Sequence, residues 1–400
     1  MARHAAYLVL NAGSSSLKFS VFRQQAEDLL TILSGQISGI GSRACFEARD
    51  GERRLLADHT WDEADSACRE TILQYLLTWI TDRLVDHEIV AAGHRVVHGG
   101  RAINRPMRVS PELIDMLEAL VPLAPLHQPH NLAPIRILAK SFPDLAQVAC
   151  FDTAFHSTQP WVARSFALPK DLTEEGVCSY GFHGLSYEYV TGQLLESRPD
   201  LAEGHIVICH LGSGSSLCAV KGGRSMDTSM GFSALDGVPM GTRPGSIDPG
   251  VILYLMREKK MDLDAMEDLL YRRSGLLGVS GLSNDMKVLL DSKDPDAKKA
   301  VELFCFRVAK EIAALASSMG GLDALVFTGG IGENAPQIRA MITERLEWLG
   351  VKLDAAANQN RAHYIAASGS RCPIFIIPTN EEMMIAKHAI KVLAAEVHLG

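Results

Sequence analysis

The sequence predicts an α/β protein built from two domains of similar design. Apolar runs of strand length are mixed with segments of helical periodicity along the whole 400 residues. One strand–turn–strand pattern with a Gly/Ser-rich turn occurs at residues 7–22 and returns, with one extra glycine, at residues 206–220. Because the two copies lie about half a chain apart, they indicate a duplicated domain.

Length and composition support a folded, multi-domain protein. At roughly 100–200 residues per domain, 400 residues correspond to two or three domains. Hydrophobic residues make up 47% and charged residues 22%, which is ordinary for a globular protein. The net charge of −8 argues against a general binder of nucleic acids or acidic membranes, but a local basic site for phosphate remains compatible with it.

The cysteines and the N-terminus favour a cytoplasmic protein. Eight cysteines are scattered without a Cys-x-x-Cys pair, so neither a zinc site nor a disulfide framework is predicted, and a reducing compartment is favoured. The apolar stretch near the N-terminus is too short for a signal peptide, and no run approaches the ~20 apolar residues of a membrane span. We therefore expect no association with membranes.

The two Gly/Ser turns, residues 11–16 and 210–216, have the composition of phosphate-binding loops. Such turns present backbone N–H groups and hydroxyls to an anion. The simpler interpretation is a tight turn that needs small residues. The repetition of the turn favours the phosphate interpretation for both copies.

Further elements follow from periodicity and from capping residues. Helices are predicted at residues 62–84, 111–120, 134–141, 297–319, from 336 onwards, and 381–397. The helix at 381–397 would be capped by Thr379 or Asn380, and the helix at 134–141 would begin at Pro134. Strands are predicted at residues 147–151, 325–327 and 374–377, the second leading into a glycine-rich turn at 329–334.

That glycine-rich turn carries a weak motif. Residues 330–335 satisfy the loose G-x-G-x-x-A pattern of dinucleotide-binding proteins, but no βαβ unit with a correctly placed acid follows. A glycine turn that lets a nucleotide approach a helix N-terminus is equally consistent. A nicotinamide oxidoreductase is the alternative that rests on this match, and it leaves both hairpins unexplained.

Several polar residues occupy positions suited to anion chemistry. Arg95 lies between two histidines at a strand end, and Arg243 is held between threonine and proline in a glycine-rich loop. Either arginine can offer a bidentate fork to a carboxylate or phosphate, although a solvated basic residue is the simpler interpretation. Asp152 and Glu381 lie near strand ends, where open α/β sheets bind ligands.

Taken together and in this order, the motifs resemble those of acetate kinases. The matching segments extend from residue 7 to residue 385 and are LVLNAGSSSLKFSVF, GHRVVHGG, PLAPLHQP, FDTAFH, YGFHGLS, CHLGSGSS, DTSMGFSALDGVPMGTR, FTGGIGENA and PTNEE. The resemblance implies two duplicated ribonuclease H-like α/β domains, the actin-like ATPase fold, with a nucleotide cleft between them. It implies a lobe of residues 1–152 plus 383–400 for the acyl substrate and a lobe of residues 153–382 for ATP.

Carried over position by position, the resemblance also implies the site residues. Asp152, His183 and Arg243 would be catalytic. The carboxylate substrate would contact Arg95, Val97, Leu126, His127 and Phe182. ATP would contact Lys18, His210, Leu211, Gly212, Ser213, Gly214, Asp285, Met286, Lys287, Gly330, Ile331, Gly332, Glu333 and Asn334. Asn11 and Glu381 would lie at a site for Mg²⁺, which Mn²⁺ could replace.

The implied reaction is reversible, Mg²⁺-dependent, in-line transfer of the γ-phosphoryl group of ATP to acetate, giving acetyl phosphate and ADP. A carboxylate with a pKa of about 4–5 is already ionised at pH 7 and needs no general base. We therefore expect Asp152 to orient an arginine or metal-bound water rather than to abstract a proton. The family also suggests a homodimer.

Some positions depart from the family pattern. The usual asparagine is Ser213, a frequent arginine near the adenosine is Lys287, and the usual histidine of the segment after YGFHG is Tyr187. Val97 favours acetate, whereas Ala234 leaves room for propionate, so a propionate kinase is an alternative. An ATP-driven chaperone or filament protein of the same fold is a further alternative, but such proteins lack the Arg95, His183 and Arg243 set.

Overall fold

The computed structural model describes residues 3–13, 15–26, 28–62 and 68–397. The chain forms two compact units. The first combines Met1–Ala154 with Asn380–Gly400, and the second is Phe155–Thr379.

The strands are numbered in chain order. They are β1 (His4–Ala12), β2 (Ser16–Gln25), β3 (Asp28–Ser38), β4 (Cys45–Asp50), β5 (Leu55–Thr60), β6 (His87–Val96), β7 (Met107–Arg108), β8 (Ala146–Phe151), β9 (His205–His210), β10 (Ser216–Lys221), β11 (Arg224–Thr228), β12 (Ala324–Thr328) and β13 (Ile374–Ile376).

The helices of the described residues are numbered in the same way. They are α1 (Arg69–Arg83), α2 (Pro111–Ala119), α3 (Gln128–Ser141), α4 (Trp161–Arg164), α5 (Lys170–Glu174), α6 (Gly184–Ser197), α7 (Pro249–Glu258), α8 (Leu263–Arg272), α9 (Gly275–Ser280), α10 (Met286–Asp291), α11 (Pro295–Met319), α12 (Gly329–Asn334), α13 (Pro336–Glu344), α14 (Ala355–Gln359) and α15 (Glu381–Val397). Short 3₁₀ helices lie at Val121–Leu123, Ala154–Thr158, Pro199–Leu201 and Glu347–Leu349.

Five adjacent strands of the first sheet, β3-β2-β1-β6-β8, have the same topology as the five-stranded sheet of the second unit. The first has the order β5-β4-β3-β2-β1-β6-β8-β7, and the second has the order β11-β10-β9-β12-β13. In the first, β2 pairs antiparallel with β1 and β3, whereas β6 pairs parallel with β1 and β8. In the second, β10 pairs antiparallel with β9 and β11, whereas β12 pairs parallel with β9 and β13. This repetition confirms the duplicated α/β fold predicted from the two hairpins.

Each unit has its own hydrophobic core. In the first, α1 buries Leu73, Leu76 and Ile80 against the sheet, where Phe19 and Phe46 also pack. In the second, α11 buries an apolar stripe that includes Phe304, Val308 and Ile312. Every residue of the parallel strand β12 is buried, which explains its continuously apolar sequence. In the part of the chain described, no helix is long and apolar enough to cross a membrane.

Most predicted elements are confirmed, with shifts of a few residues at their ends. The helix predicted at 297–319 is α11, and Asn380 caps α15 because its Oδ1 accepts a hydrogen bond from the Met383 N–H at 2.9 Å. The helix predicted from residue 62 begins at Arg69 among the described residues; residues 63–67 of that prediction lie outside them.

Two predictions of local structure were wrong. Helix α3 begins at Gln128, six residues before the predicted start, because Pro129 already fills the first-turn position that prolines prefer. Pro134 therefore lies inside the helix. The glycine segment 329–334 is not a turn but the short helix α12, whose first N–H, at Gly329, donates to Glu333 Oε1 at 2.9 Å.

A buried arginine fixes α12 to its neighbours. Arg339 on α13 is fully buried, and in the described residues it forms no ion pair with a carboxylate. Its guanidinium donates to the Gly332 carbonyl at 2.7 Å, to Asn358 Oδ1 at 2.7 Å and to the Asn358 carbonyl at 2.9 Å. The Gly332 carbonyl is near the C-terminal end of α12, where helices leave acceptors unpaired. Burial and nearby Arg361 lower the pKa of Arg339 to about 10, so it stays charged at pH 7.

We predict that Arg339→Lys lowers the free energy of unfolding by about 3 kcal/mol, because a single ammonium cannot reach all three acceptors and leaves buried carbonyls unpaired. Urea unfolding followed by circular dichroism measures this change. The matched control is Arg345→Lys, since Arg345 is exposed, forms a 3.5 Å pair with Glu302 and lies over the ring of Phe306 at 5.6 Å. The control should stay within about 0.5 kcal/mol of the parent protein. Equal stabilities of the two variants would contradict the role given to Arg339.

Candidate functional site

The first unit gathers polar and charged side chains at the carboxyl ends of three neighbouring parallel strands. Asn11 lies near the end of β1, Arg95 near the end of β6, and Asp152 directly after β8. The N-terminus of α15 adds Glu381 and Glu382. We call these five residues the acidic cluster. The carboxyl edge of a sheet is where α/β proteins usually bind ligands.

Arg95 and Asp152 form a buried, two-pronged ion pair. Arg95 Nη2 lies 2.5 Å from Asp152 Oδ2, and Arg95 Nε lies 3.0 Å from the same oxygen. The Asp152 side chain is 0% exposed and that of Arg95 is 16% exposed. The carboxylate therefore holds the guanidinium in one orientation.

The charges of the cluster do not balance. Asn11 Nδ2 donates to Glu381 Oε2 at 3.3 Å and to Glu382 Oε1 at 3.2 Å, which draws both glutamates toward the sheet edge. Burial raises the pKa of Asp152 to about 6. The positive charge of Arg95 opposes this rise, whereas the negative charge of Glu381 adds to it. Burial by itself lowers the pKa of Arg95, but Asp152 and Glu381 outweigh it and raise that pKa. Asp152 pairs directly with Arg95, and Glu381 and Glu382 act on this guanidinium through their charge, so acidic side chains outnumber basic ones in the cluster.

This excess of carboxylate oxygens fits a hard divalent cation. Within the described residues, no group of three or more His, Cys, Asp or Glu side chains is arranged to hold a metal alone. Mg²⁺ does not need such a group, because it keeps several waters and takes one or two carboxylates together with substrate phosphate. The residues predicted for the metal, Asn11 and Glu381, are brought together. Glu382 was missed by sequence reasoning, although it is the second acid of the PTNEE segment.

The other predicted residues of the first unit lie around this edge. Lys18 on β2 is exposed and pairs directly across from Asn11. Val97 is buried, and its N–H donates to Asn131 Oδ1 at 2.8 Å. Leu126 and His127 are half-buried in the turn before α3. Asn131 also donates to the Ala12 carbonyl, so it joins the ends of β1 and β6; no sequence motif pointed to it.

The second unit brings its two glycine-rich segments together. The Leu211 carbonyl accepts from the Ile331 N–H at 2.8 Å and from the Gly332 N–H at 3.2 Å. Gly329 has a φ of +77°, and a Cβ atom there would lie 2.8 Å from the Leu211 carbonyl oxygen. Only glycine therefore fits this join. The predicted ATP residues of the two segments, 210–214 and 330–334, are neighbours.

Next to the first glycine segment lie His183 and Arg243. A Cβ atom on Gly214 would lie 2.8 Å from Arg243 Nη2 and 3.5 Å from His183 Nε2, so both side chains approach the bare backbone of this turn. Arg243 Nη1 donates to the Ala234 carbonyl at 2.7 Å. Arg243 is half-buried, burial lowers its pKa, and among the described residues it has no ion pair with a carboxylate.

Two histidines stack in this unit. The rings of His183 and His210 are 4.3 Å apart and nearly parallel, at 19°. His183 Nδ1 lies 2.8 Å from Ser216 Oγ, and His210 Nδ1 lies 2.8 Å from Ser186 Oγ. His183 has a φ of +58°, a left-handed conformation that is costly for a residue other than glycine. Its position at the start of α6 therefore depends on the surrounding packing.

The remaining predicted residues have visible structural contacts. The Gly241 N–H donates to the Ser213 carbonyl at 3.1 Å, and a Cβ on Gly241 would lie 3.2 Å from the Asn284 carbonyl, which brings residues 284–287 near the turn. Asp285 caps α10 through the Lys287 N–H, Met286 is buried and Lys287 is exposed. Glu333 Oε1 also accepts from the Thr379 N–H at 3.2 Å.

Two further predicted residues lie in this unit. Asn334 donates to the Gly330 carbonyl at 3.0 Å and accepts from Arg361, which stabilises α12. Phe182 is buried, and its carbonyl oxygen lies 2.9 Å from Nε2 of the fully buried His156. His156, the last residue of FDTAFH, thus holds the segment that precedes His183. The FDTAFH motif was recognised in the sequence, but no local pattern pointed to His156 within it.

Comparisons with known proteins agree with this arrangement. Residues 6–387 match the Acetokinase family. The chain is 51% identical over 387 residues to an acetate kinase of Nitrobacter hamburgensis, with 96% of both chains covered. It is 50% identical over 386 residues to an acetate kinase of Rhodopseudomonas palustris, with 95% of this chain and 96% of the relative covered.

Solved structures give the same result. A propionate kinase from Francisella tularensis, 36% identical, superposes with a TM-score of 0.89 over 96% of this chain and 98% of that one. An acetate kinase from Porphyromonas gingivalis, 33% identical, superposes with a TM-score of 0.87 over 97% of this chain and 100% of that one. Sequence, sheet topology and superposition therefore agree over nearly the whole length, and the chain belongs to the acetokinase family.

Proposed function

We propose that this protein is an acetate kinase, which transfers the terminal phosphoryl group of ATP to acetate and catalyses the reverse reaction. Family membership supports a phosphotransferase with a carboxylate acceptor, and the curated relatives at 50–51% identity are named acetate kinases. ATP and acetate are the expected substrates, with ADP and acetyl phosphate as products. The cysteine usage and the need for ATP support a cytoplasmic place of action.

The observation that carries this proposal is the environment of Arg243. Its guanidinium is half-buried beside the bare backbone of Gly214, next to His183, and no carboxylate of the described residues forms an ion pair with it. A desolvated guanidinium without an acidic partner is a receptor for an anion. The glycine turns beside it offer backbone N–H groups, which suit the phosphates of ATP.

In the first unit, Arg95 is suited to the acceptor carboxylate. Asp152 fixes the orientation of its guanidinium, and the exposed part of that group remains available to a substrate anion. Val97 and Leu126 supply apolar surface for the methyl group of acetate. Asn11 and Glu381, joined by Glu382, would hold Mg²⁺, which when bound neutralises charge on the phosphates of ATP.

These groups support direct in-line transfer. An oxygen of the acetate carboxylate forms a bond to the terminal phosphorus as the bond from that phosphorus to the bridging oxygen of ADP breaks. The nucleophile is already ionised, so no proton is removed, and Asp152 acts by holding Arg95. Arg243 and His183 donate to the phosphoryl oxygens, whose charge is spread in the transition state.

We predict that the protein incubated with ATP, Mg²⁺, acetate and hydroxylamine forms acetohydroxamate, because hydroxylamine traps the acyl phosphate. Chelation of Mg²⁺ should abolish the product, and Mn²⁺ should restore it. Acetate should give a higher kcat/KM than propionate or butyrate, since Val97 narrows the acyl site, although Ala234 leaves propionate measurable. If none of these three acids gives a hydroxamate, the chain is not an acyl kinase.

We predict that Asp152→Asn lowers kcat by about 100-fold, because Arg95 loses the charge that orients it. The Mg²⁺ concentration for half-maximal rate should rise, while the basic limb of the pH–rate profile stays unchanged. Steady-state kinetics at varied Mg²⁺ and pH measures both effects. Glu118→Gln, which removes an exposed partner of Arg136, is the control and should behave like the parent protein. A lost basic limb with unchanged Mg²⁺ dependence would show instead that Asp152 is a general base.

A homodimer is the assembly that we propose. Helix α7 buries none of its own side chains, yet it carries Leu253 and Tyr254, which are 61% and 54% exposed. Val251 and Met256 on the same helix, and Ile247 just before it, are also exposed. A surface of this kind on a helix of the described chain is typical of an interface, and a second copy is the partner that the family suggests.

We predict that Leu253→Glu shifts the protein from dimer to monomer, because the interface then has to desolvate a carboxylate without a partner. Size-exclusion chromatography with light scattering measures the mass of each species. Val85→Glu, on the other unit, replaces an aliphatic residue that is 73% exposed and is expected to leave the mass unchanged. A parent protein of monomer mass would rule out the dimer.

A further inference from the structure

Tyr187 is a buried hydroxyl close to the proposed active site. It lies on α6 with 0% exposure, and its hydroxyl oxygen is 2.5 Å from Ser216 Oγ. Burial raises the pKa of Tyr187 well above its ordinary value, so the phenol keeps its proton at neutral pH. A buried phenol proton has to be donated to an acceptor. In the described residues, Ser216 Oγ is the acceptor within hydrogen-bond distance.

Ser216 connects this phenol to His183. It is the first residue of β10, has 0% exposure, and its Oγ lies 2.8 Å from His183 Nδ1. A serine hydroxyl can accept two hydrogen bonds but has one proton to donate. Tyr187, Ser216 and His183 therefore form one chain of hydrogen bonds, which we call the hydroxyl relay.

One distribution of protons satisfies each hydroxyl of the relay. If Tyr187 donates to Ser216 and Ser216 donates to His183 Nδ1, both hydroxyl protons are used. If His183 Nδ1 donates to Ser216 instead, either the proton of Ser216 or that of Tyr187 is left buried without an acceptor among the described groups. An unpaired buried polar group costs about 1–3 kcal/mol. Nδ1 is therefore the acceptor, and the proton of the neutral imidazole is on Nε2.

We propose that Ser216, whose hydroxyl accepts the proton of Tyr187 and donates its own to Nδ1, holds His183 in the tautomer whose Nε2 carries the proton. This inference rests on the proposed function, in which His183 donates to a phosphoryl oxygen. The Nε2 edge of the ring lies beside Gly214 and Arg243, so the relay directs a hydrogen-bond donor toward the place where phosphate is expected. Ser216 is a positioning residue, because it acts through another side chain and touches no reacting atom.

A second set of contacts supports this interpretation. Thr379 Oγ1 donates to Ser186 Oγ at 2.8 Å, and Ser186 Oγ lies 2.8 Å from His210 Nδ1. His210, whose ring stacks on that of His183, is thus contacted at Nδ1 by Ser186, which already accepts the hydroxyl proton of Thr379. Both rings of the stack are approached in the same way, which is the pattern expected if hydroxyl groups set their tautomers.

The test compares Ser216→Ala with Ser216→Thr. We expect Ser216→Ala to lower kcat about twofold, with KM for ATP and acetate nearly unchanged, because the donor at His183 is lost from part of the population. ¹⁵N NMR of histidine-labelled protein, with His183 signals assigned through His183→Gln, should show protonated Nε2 and unprotonated Nδ1 in the parent and a mixture of tautomers in Ser216→Ala. Ser216→Thr keeps a hydroxyl at Nδ1 and should retain the parent signals.

The tyrosines of α6 provide the second pair of variants. Tyr187→Phe leaves Ser216 donating to His183 Nδ1, so it should retain the parent His183 signals, as should Tyr189→Phe, which removes a hydroxyl from the same helix. The proposal is overturned if His183 is protonated on Nδ1 in the parent, or if Ser216→Ala keeps the parent signals. The NMR measurement does not depend on the substrate, so absence of acyl phosphate formation would refute the proposed function and leave the tautomer result to be judged separately.

Discussion

Both sites depend on one constraint of the backbone: the central strands of each sheet run parallel and end at the same edge. In the first unit this edge collects Asn11, Arg95 and Asp152 from β1, β6 and β8. In the second unit the ends of β9 and β12 bring His210 beside Thr328. Residues far apart in sequence become neighbours because strand order, not chain order, decides which ends meet.

The two units then differ in how they treat charge. The first pairs its guanidinium with Asp152 and adds two glutamates held by Asn11, so its arginine is held by protein and its excess of negative charge suits a cation. The second keeps Arg243 away from acidic partners among the described residues, so its charge suits an anion. The two units of the duplicated fold thus offer sites of opposite character, one suited to a cation and the other to an anion.

Glycine and hydroxyl groups give the second site its shape. The backbone bonds between Leu211 and α12 require Gly329 in a left-handed conformation, and Arg339 secures the other end of the same helix. The left-handed His183 is fixed by His156 before it and by Ser216 at its ring. Strain of this kind persists only where the packing around it is well determined. The buried Tyr187 belongs to that packing as well as to the relay.

The duplicated α/β fold could be predicted from the amino-acid sequence, because alternating apolar runs and a repeated hairpin are local patterns. Its motifs also pointed to Arg95, Asp152, Arg243 and Glu381, since charged residues beside strand ends and glycine turns stand out in the printed chain. Local patterns gave wrong predictions where tertiary contacts determine the backbone. Pro134 lies inside α3, and the glycines of 329–334 belong to a helix. Only the tertiary structure paired Arg95 with Asp152, added Glu382 to the acidic cluster and joined Tyr187 to His183 through Ser216. These contacts join strands and helices from distant parts of the chain, and their distances and burial are fixed only when the sheets assemble.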